Sequence, residues 1–153
     1  MTLSLLPISN VCIGLTHCGS FLGAESPNTL TIRTLSPQVD EHNSGPLMGR
    51  LLIDKTFHGG LDGTSKGQML SAGTAIKGSA GYVAMEQFTG TLGGRKGSLV
   101  FQHSGTMNRG AAQLTLTVVP DSGTEELTGI SGSMEIIRDM GNHSYRFAYA
   151  LTP

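Results

Sequence analysis

The stretch GYVAMEQFTGTLGGRKGSLVFQHSGTM, residues 81–107, decides the fold. Two runs rich in Tyr, Val, Phe, Leu and Thr flank Gly93-Gly94, a pair suited to the left-handed torsions of a tight hairpin turn. The pattern predicts two antiparallel strands, Gly81–Gly90 and Gly97–Met107. Successive side chains of a strand point to opposite faces. Tyr82, Ala84, Glu86 and Phe88 therefore share one face, and Val83, Met85 and Gln87 the other. Neither face is purely apolar, so the parity admits Glu86 to the interior. In the second run Leu99, Phe101 and His103 oppose Val100, Gln102 and Ser104, which leaves open whether Gln102 or His103 points inward.

The same rhythm extends in both directions. Short runs of β-branched and aromatic residues, punctuated by Gly, Asn, Asp and Ser, predict further strands near Thr29–Thr34, Gly49–Phe57, Gly67–Ala75, Ala111–Pro120, Gly132–Asp139 and His143–Leu151. Turn chemistry joins them: Gly59-Gly60 with Asp62-Gly63, Asn108 to Gly110, and Gly141-Asn142. Asp121–Leu127 is the one predicted helical turn, capped by Asp121 or Ser122. Leu114, Leu116 and Val118 form an apolar face on their strand, as do His143, Tyr145, Phe147, Tyr149 and Leu151 on the last. Eight short strands joined in sequence remove their reactive edges by closing on themselves. The expected architecture is all-β, a closed eight-stranded antiparallel up-and-down barrel over residues 29–153, preceded by an N-terminal extension, 1–28, of uncertain role.

Composition narrows the functional classes. The chain has 153 residues, 22 of them glycine, with no Trp and only 14% charged residues. Ten Lys plus Arg against eleven Asp plus Glu give a formal charge of -1, which supplies no electrostatic footprint for nucleic acid or an anionic membrane. No run approaches the roughly 18 apolar residues of a membrane helix. Residues 1–28 contain no Lys or Arg, and Pro7, Asn10, Gly14 and His17 interrupt their apolar run, so they indicate a secretory signal only weakly. Cys12 and Cys18 match no zinc spacing and are expected to be reduced thiols in a cytoplasmic protein. Histidines at 17, 42, 58, 103 and 143 form no ligand motif, and neither a metal nor a cofactor is expected.

Glu86 is the sharpest candidate for chemistry. A carboxylate facing a barrel interior is desolvated, which raises its pKa and suits it to general acid or base work. The competing reading is a buried ion pair with Lys55 or Arg95 that fixes the barrel. His103 or Gln102, on the neighbouring strand, would exchange a proton with Glu86 or orient a ligand carbonyl. Tyr82, Phe101, Tyr145 and Tyr149 are candidate ligand contacts, set against their ordinary role as barrel core.

GSAGYVAME (78–86), TGTLGGR (89–95), QHSGTM (102–107) and VVPDSGT (118–124) together resemble a largely bacterial family of unknown function whose fold is similar to the allene oxide cyclase barrel. The likeness spans roughly residue 30 to the C-terminus and implies the same eight-stranded barrel. Relatives with that barrel include isomerases and cyclases that shape a flexible apolar substrate, and they commonly form homo-oligomers, although a fold does not fix a function. Three expectations result: a barrel binding an apolar small molecule as an isomerase or cyclase, a non-catalytic binding barrel, and a self-assembling structural barrel.

Overall fold

A computed structural model describes residues 28–34, 38–39 and 47–152. The expectations for residues 1–27, including Cys12 and Cys18, and for His42 lie outside the described residues. The elements are β1 (Thr29–Thr34), β2 (Gln38–Val39), β3 (Leu47–His58), β4 (Leu61–Gly73), β5 (Ala80–Leu92), β6 (Arg95–Asn108), β7 (Ala111–Val118), a 3₁₀ turn (Glu125–Leu127), β8 (Ile130–Asp139) and β9 (Asn142–Leu151).

Strands β3 to β9 pair antiparallel in sequence order. The sheet closes because β1 pairs with β3 along its whole length, Thr29 opposite His58 to Thr34 opposite Ile53, and touches β9 where Thr29 meets Ser144. β2 continues on the same edge of β3, with Gln38 opposite Arg50. Counting β1 and β2 as one interrupted strand, the molecule is the expected closed eight-stranded antiparallel barrel.

Two local features depart from the sequence reading. β4 starts at Leu61 instead of Gly67, because Gly59-Gly60 alone makes the turn and Asp62-Gly63 belongs to the strand. Gly63 lies opposite Gly90, and a Cβ at Gly63 would collide with the Thr89 carbonyl, so a residue that looks like a turn signal serves strand contact. The helical turn is likewise shorter than expected, and neither Asp121 nor Ser122 caps it. The Ser122 hydroxyl instead donates to the Val119 carbonyl at 2.7 Å and accepts from the Val100 N–H at 3.0 Å. Thr124 Oγ1 and Glu126 Oε2 accept from the N–H groups of Ser98 and Lys96 at 3.0 and 2.8 Å. The loop after β7 thus satisfies β6 beyond the point where β7 ends, and it brings Leu127, fully buried, beneath the barrel.

Alternation sorts the walls into an inner and an outer face. Phe57, Leu61, Phe88, Leu92, Leu99, Leu127, Ile130 and Tyr145 fill one end of the interior. Phe57 meets both Phe88 and Tyr145 edge-on, with centroids 5.6 and 5.5 Å apart. The Tyr145 hydroxyl accepts from the Leu61 N–H at 3.0 Å and lies 3.1 Å from the carbonyls of Leu61 and His58, tying β9 to the β3–β4 turn. Its buried setting raises the phenol pKa, against the opposing hydrogen bond from Leu61, with Asp62 adding to the rise.

Candidate functional site

Charge appears in the interior at the level of Glu86. On the inner face Glu86 stands in a rung between Gly67 of β4 and Phe101 of β6. Lys55 and Ser65 face each other one rung toward the packed end, and His103 lies one rung toward the other. Gly67 carries no side chain; a Cβ there would press on the Met85 carbonyl and on Glu86 itself, so the glycine lets β4 lie close against β5 beside the carboxylate. All four polar residues are buried, Glu86 at 1% exposure.

Lys55 Nζ donates to Glu86 Oε2 at 2.5 Å, and the Ser65 hydroxyl donates to Oε1 in a short hydrogen bond. His103 Nε2 is 2.9 Å from Oε2 but makes no well-directed hydrogen bond, so proximity more than alignment defines that contact. Burial pushes the Glu86 carboxyl up. His103, the Lys55 charge and hydrogen bond, and the Ser65 hydroxyl together outweigh it and hold the pKa at about 2. The raised pKa expected from the sequence is therefore reversed. At neutral pH Glu86 is an ionised acceptor held by Lys55 and Ser65 with His103 close beside it, which suits it poorly to either donating or abstracting a proton.

The structure separates the sequence candidates. His103 faces inward beside Ala84 and Leu116, whereas Gln102 is exposed on the outer face between Met85 and Thr117. The parity left open in the sequence thus resolves in favour of His103, and Gln102 cannot reach Glu86. Lys55 is the ion-pair partner, and Arg95 is exposed at the start of β6. Phe101 is 1% exposed and packs edge-on against Phe147, and Tyr145 is committed to main chain, so both belong to the core. Tyr149 is 43% exposed and stacks on Phe147; its rung partner is Gly132, which has no side chain to cover it.

Of the four proposed ligand contacts, Tyr82 lines a cavity. That cavity, about 520 Å³, opens the barrel end opposite the packed core, and its walls include Leu51, Met69, Tyr82, Leu114, Ile136 and Arg138. The Tyr82 ring lies directly over Gly105, where a Cβ would collide with it. Burial raises the Tyr82 pKa, the Arg138 charge lowers it, and Glu86 adds a smaller upward push. Arg138 was not singled out by the sequence; its position in a strand beside a turn gives no signal without the pairing of β8. Among the described residues no three His, Cys, Asp or Glu side chains gather as a metal site, and no helix is long and apolar enough to cross a membrane.

These features define a class: a small closed barrel with one packed end, one open end and an ion-paired carboxylate between them. Within it, the chain belongs to the DUF3224 family of proteins of unknown function, whose model matches residues 28–149. It is 44% identical to a DUF3224 protein of unknown function from Shewanella oneidensis MR-1, solved by crystallography at 1.84 Å resolution. The two superpose with a TM-score of 0.77 over 85% of this chain and 98% of the other. No curated protein matches the chain.

Proposed function

We propose that the protein is a small-molecule-binding barrel that takes a mostly apolar molecule bearing an acidic group into its open end, without proton transfer through Glu86. The observation that carries this reading is the 520 Å³ cavity bounded by Leu51, Met69, Leu114 and Ile136, with Tyr82, Arg138, Ser71, Thr106 and Gln113 as its polar lining. Its size and its apolar walls with few polar groups are those of small-molecule sites. Arg138 supplies a cation for an acidic head group. The Glu86 cluster lies deeper on the same inner face and acts as a rigid, charge-compensated floor. Resemblance to allene oxide cyclase-type barrels keeps an isomerase or cyclase as the rival, but that chemistry needs a group titrating near the working pH, and Glu86 at about 2 is far from it.

An apolar sulfonate dye, anilinonaphthalene sulfonate, tests the proposal by fluorescence titration. Leu114→Trp, which fills the cavity from a half-exposed rim position, weakens dye binding at least tenfold, Arg138→Ala weakens it severalfold, and Glu86→Gln leaves it within twofold. Circular dichroism melts establish that each variant is folded. Equal dye affinity in the wild type and the folded Leu114→Trp variant overturns the reading.

A further inference from the structure

The outer wall of β3 to β6 is unlike a solvated barrel surface. Leu52, Leu70, Val83 and Met85 are 43%, 54%, 54% and 49% exposed and lie on adjacent strands: Leu70 is opposite Val83, and Gln68 joins Leu52 to Met85 in one rung. With Gln68, Gln87, Val100 and Gln102 they edge a surface hollow of about 890 Å³. Ile53, Ala84, Glu86 and His103 also border it, but their side chains turn to the inner face, so they meet the hollow only through main chain. The hollow is therefore separate from the ligand cavity. A contiguous apolar face with glutamine and little charge at its centre has the composition of a protein contact, not of a free surface.

Charge at its edge indicates which partner fits. Along β3 the outward residues run Arg50, Leu52, Asp54, a cation and an anion spaced equally about a leucine. A two-fold axis crossing the strands at the level of Leu52 turns the patch onto a copy of itself. Arg50 then meets Asp54 of the second copy twice, Leu52 and Met85 each approach their own equivalents, and Lys66 lays its stem over Leu70. Such self-complementarity is what an isologous interface requires. Laid flat, the face from Met48 to Thr56 across four strands measures about 27 Å by about 19 Å, so on the order of 500 Å² of sheet is the most that each copy, curved around half the barrel, can bury. Twice that approaches the lower bound for specific complexes.

We propose that this face joins two copies of the chain in a two-fold dimer. The contact is reversible and symmetric, and it leaves the open barrel end free. Sedimentation velocity over about 1 to 200 µM tests it, spanning a Kd range appropriate to an interface of this size. The wild type shifts from monomer to dimer across the series. Met85→Arg, which sets two cations against each other at the axis, raises the dimer Kd at least tenfold. Asp54→Arg and Arg50→Asp each raise it severalfold, and the double reversal returns it to within twofold of wild type. Circular dichroism confirms that the variants stay folded. A monomer at every concentration overturns the proposal, as would result if residues 1–27 or an unrelated protein covered the face. So does a dimer that is indifferent to Met85→Arg, or a double reversal no better than the single changes.

Discussion

Replacing Glu86 by Gln tests the buried ion pair through its pH dependence. The Glu86 pKa lies at about 2 in the folded protein against 4.5 for an unperturbed glutamate. Each unit of difference corresponds to about 1.4 kcal/mol, so the ionised carboxylate contributes about 3 kcal/mol of stability through linkage. Because the folded pKa is depressed, that contribution is fully present above the unfolded pKa and is lost as pH falls from about 4.5 to about 2. Glutamine keeps the shape and does not titrate, although it leaves the Lys55 ammonium buried without its counter-charge, so the variant is the less stable protein at neutral pH. The informative quantity is the difference between wild type and Glu86→Gln, measured by urea unfolding at pH 5 and at pH 2.5. It shrinks by about 2 to 3 kcal/mol between the two pH values. If both proteins lose stability in parallel over that window, Glu86 is not held ionised by Lys55, Ser65 and His103, and the account of the cluster fails.

Tyr145→Phe removes the hydroxyl that accepts the Leu61 N–H and leaves that buried donor unpaired; a loss of about 1 to 3 kcal/mol in urea unfolding is expected, and a change under about 0.5 kcal/mol would show the tie to be unimportant. Gly105→Ala drives a methyl into the Tyr82 ring and costs about 1 to 3 kcal/mol by overpacking. Pairing it with Tyr82→Ala recovers part of that loss in a double-mutant cycle, and strictly additive losses would contradict the direct contact.

The eight-strand rhythm was legible because each run of Val, Ile, Thr, Phe or Tyr ends in a residue built for turning, as at Gly93-Gly94 and Gly141-Asn142. It misled where a glycine serves close approach, as Gly63 does opposite Gly90, and so hid the first six residues of β4. Parity admitted Glu86 to the interior without requiring it, since neither face of its strand is purely apolar. The direction of its pKa shift could not be read, because it depends on Lys55, which is 31 residues away in sequence and meets the carboxylate only across the folded barrel. Gln102 and His103 are adjacent in sequence, and a local pattern with polar residues on both faces cannot choose between them. Pairing with β7, which sets His103 against the buried Leu116, makes the choice.

The barrel is closed by unequal joints. β3 through β6 meet across short turns, and their strands run together over eleven to thirteen paired residues. Between β9 and β1 the ladder is a single pair, Thr29 with Ser144, supported by the Tyr145 N–H on the Asn28 carbonyl at 3.2 Å. Bringing together positions roughly 115 residues apart costs about 3 to 4 kcal/mol more loop entropy than forming a two-residue hairpin. The β7–β8 joint is also a single pair, Thr117 with Ser133, but it is local in sequence, so of the two it is the β9–β1 joint that forms last as the chain folds. The wall bounded by these two single-pair joints, not the paired β3–β6 wall, is where the interior first meets water and where amide protons exchange fastest.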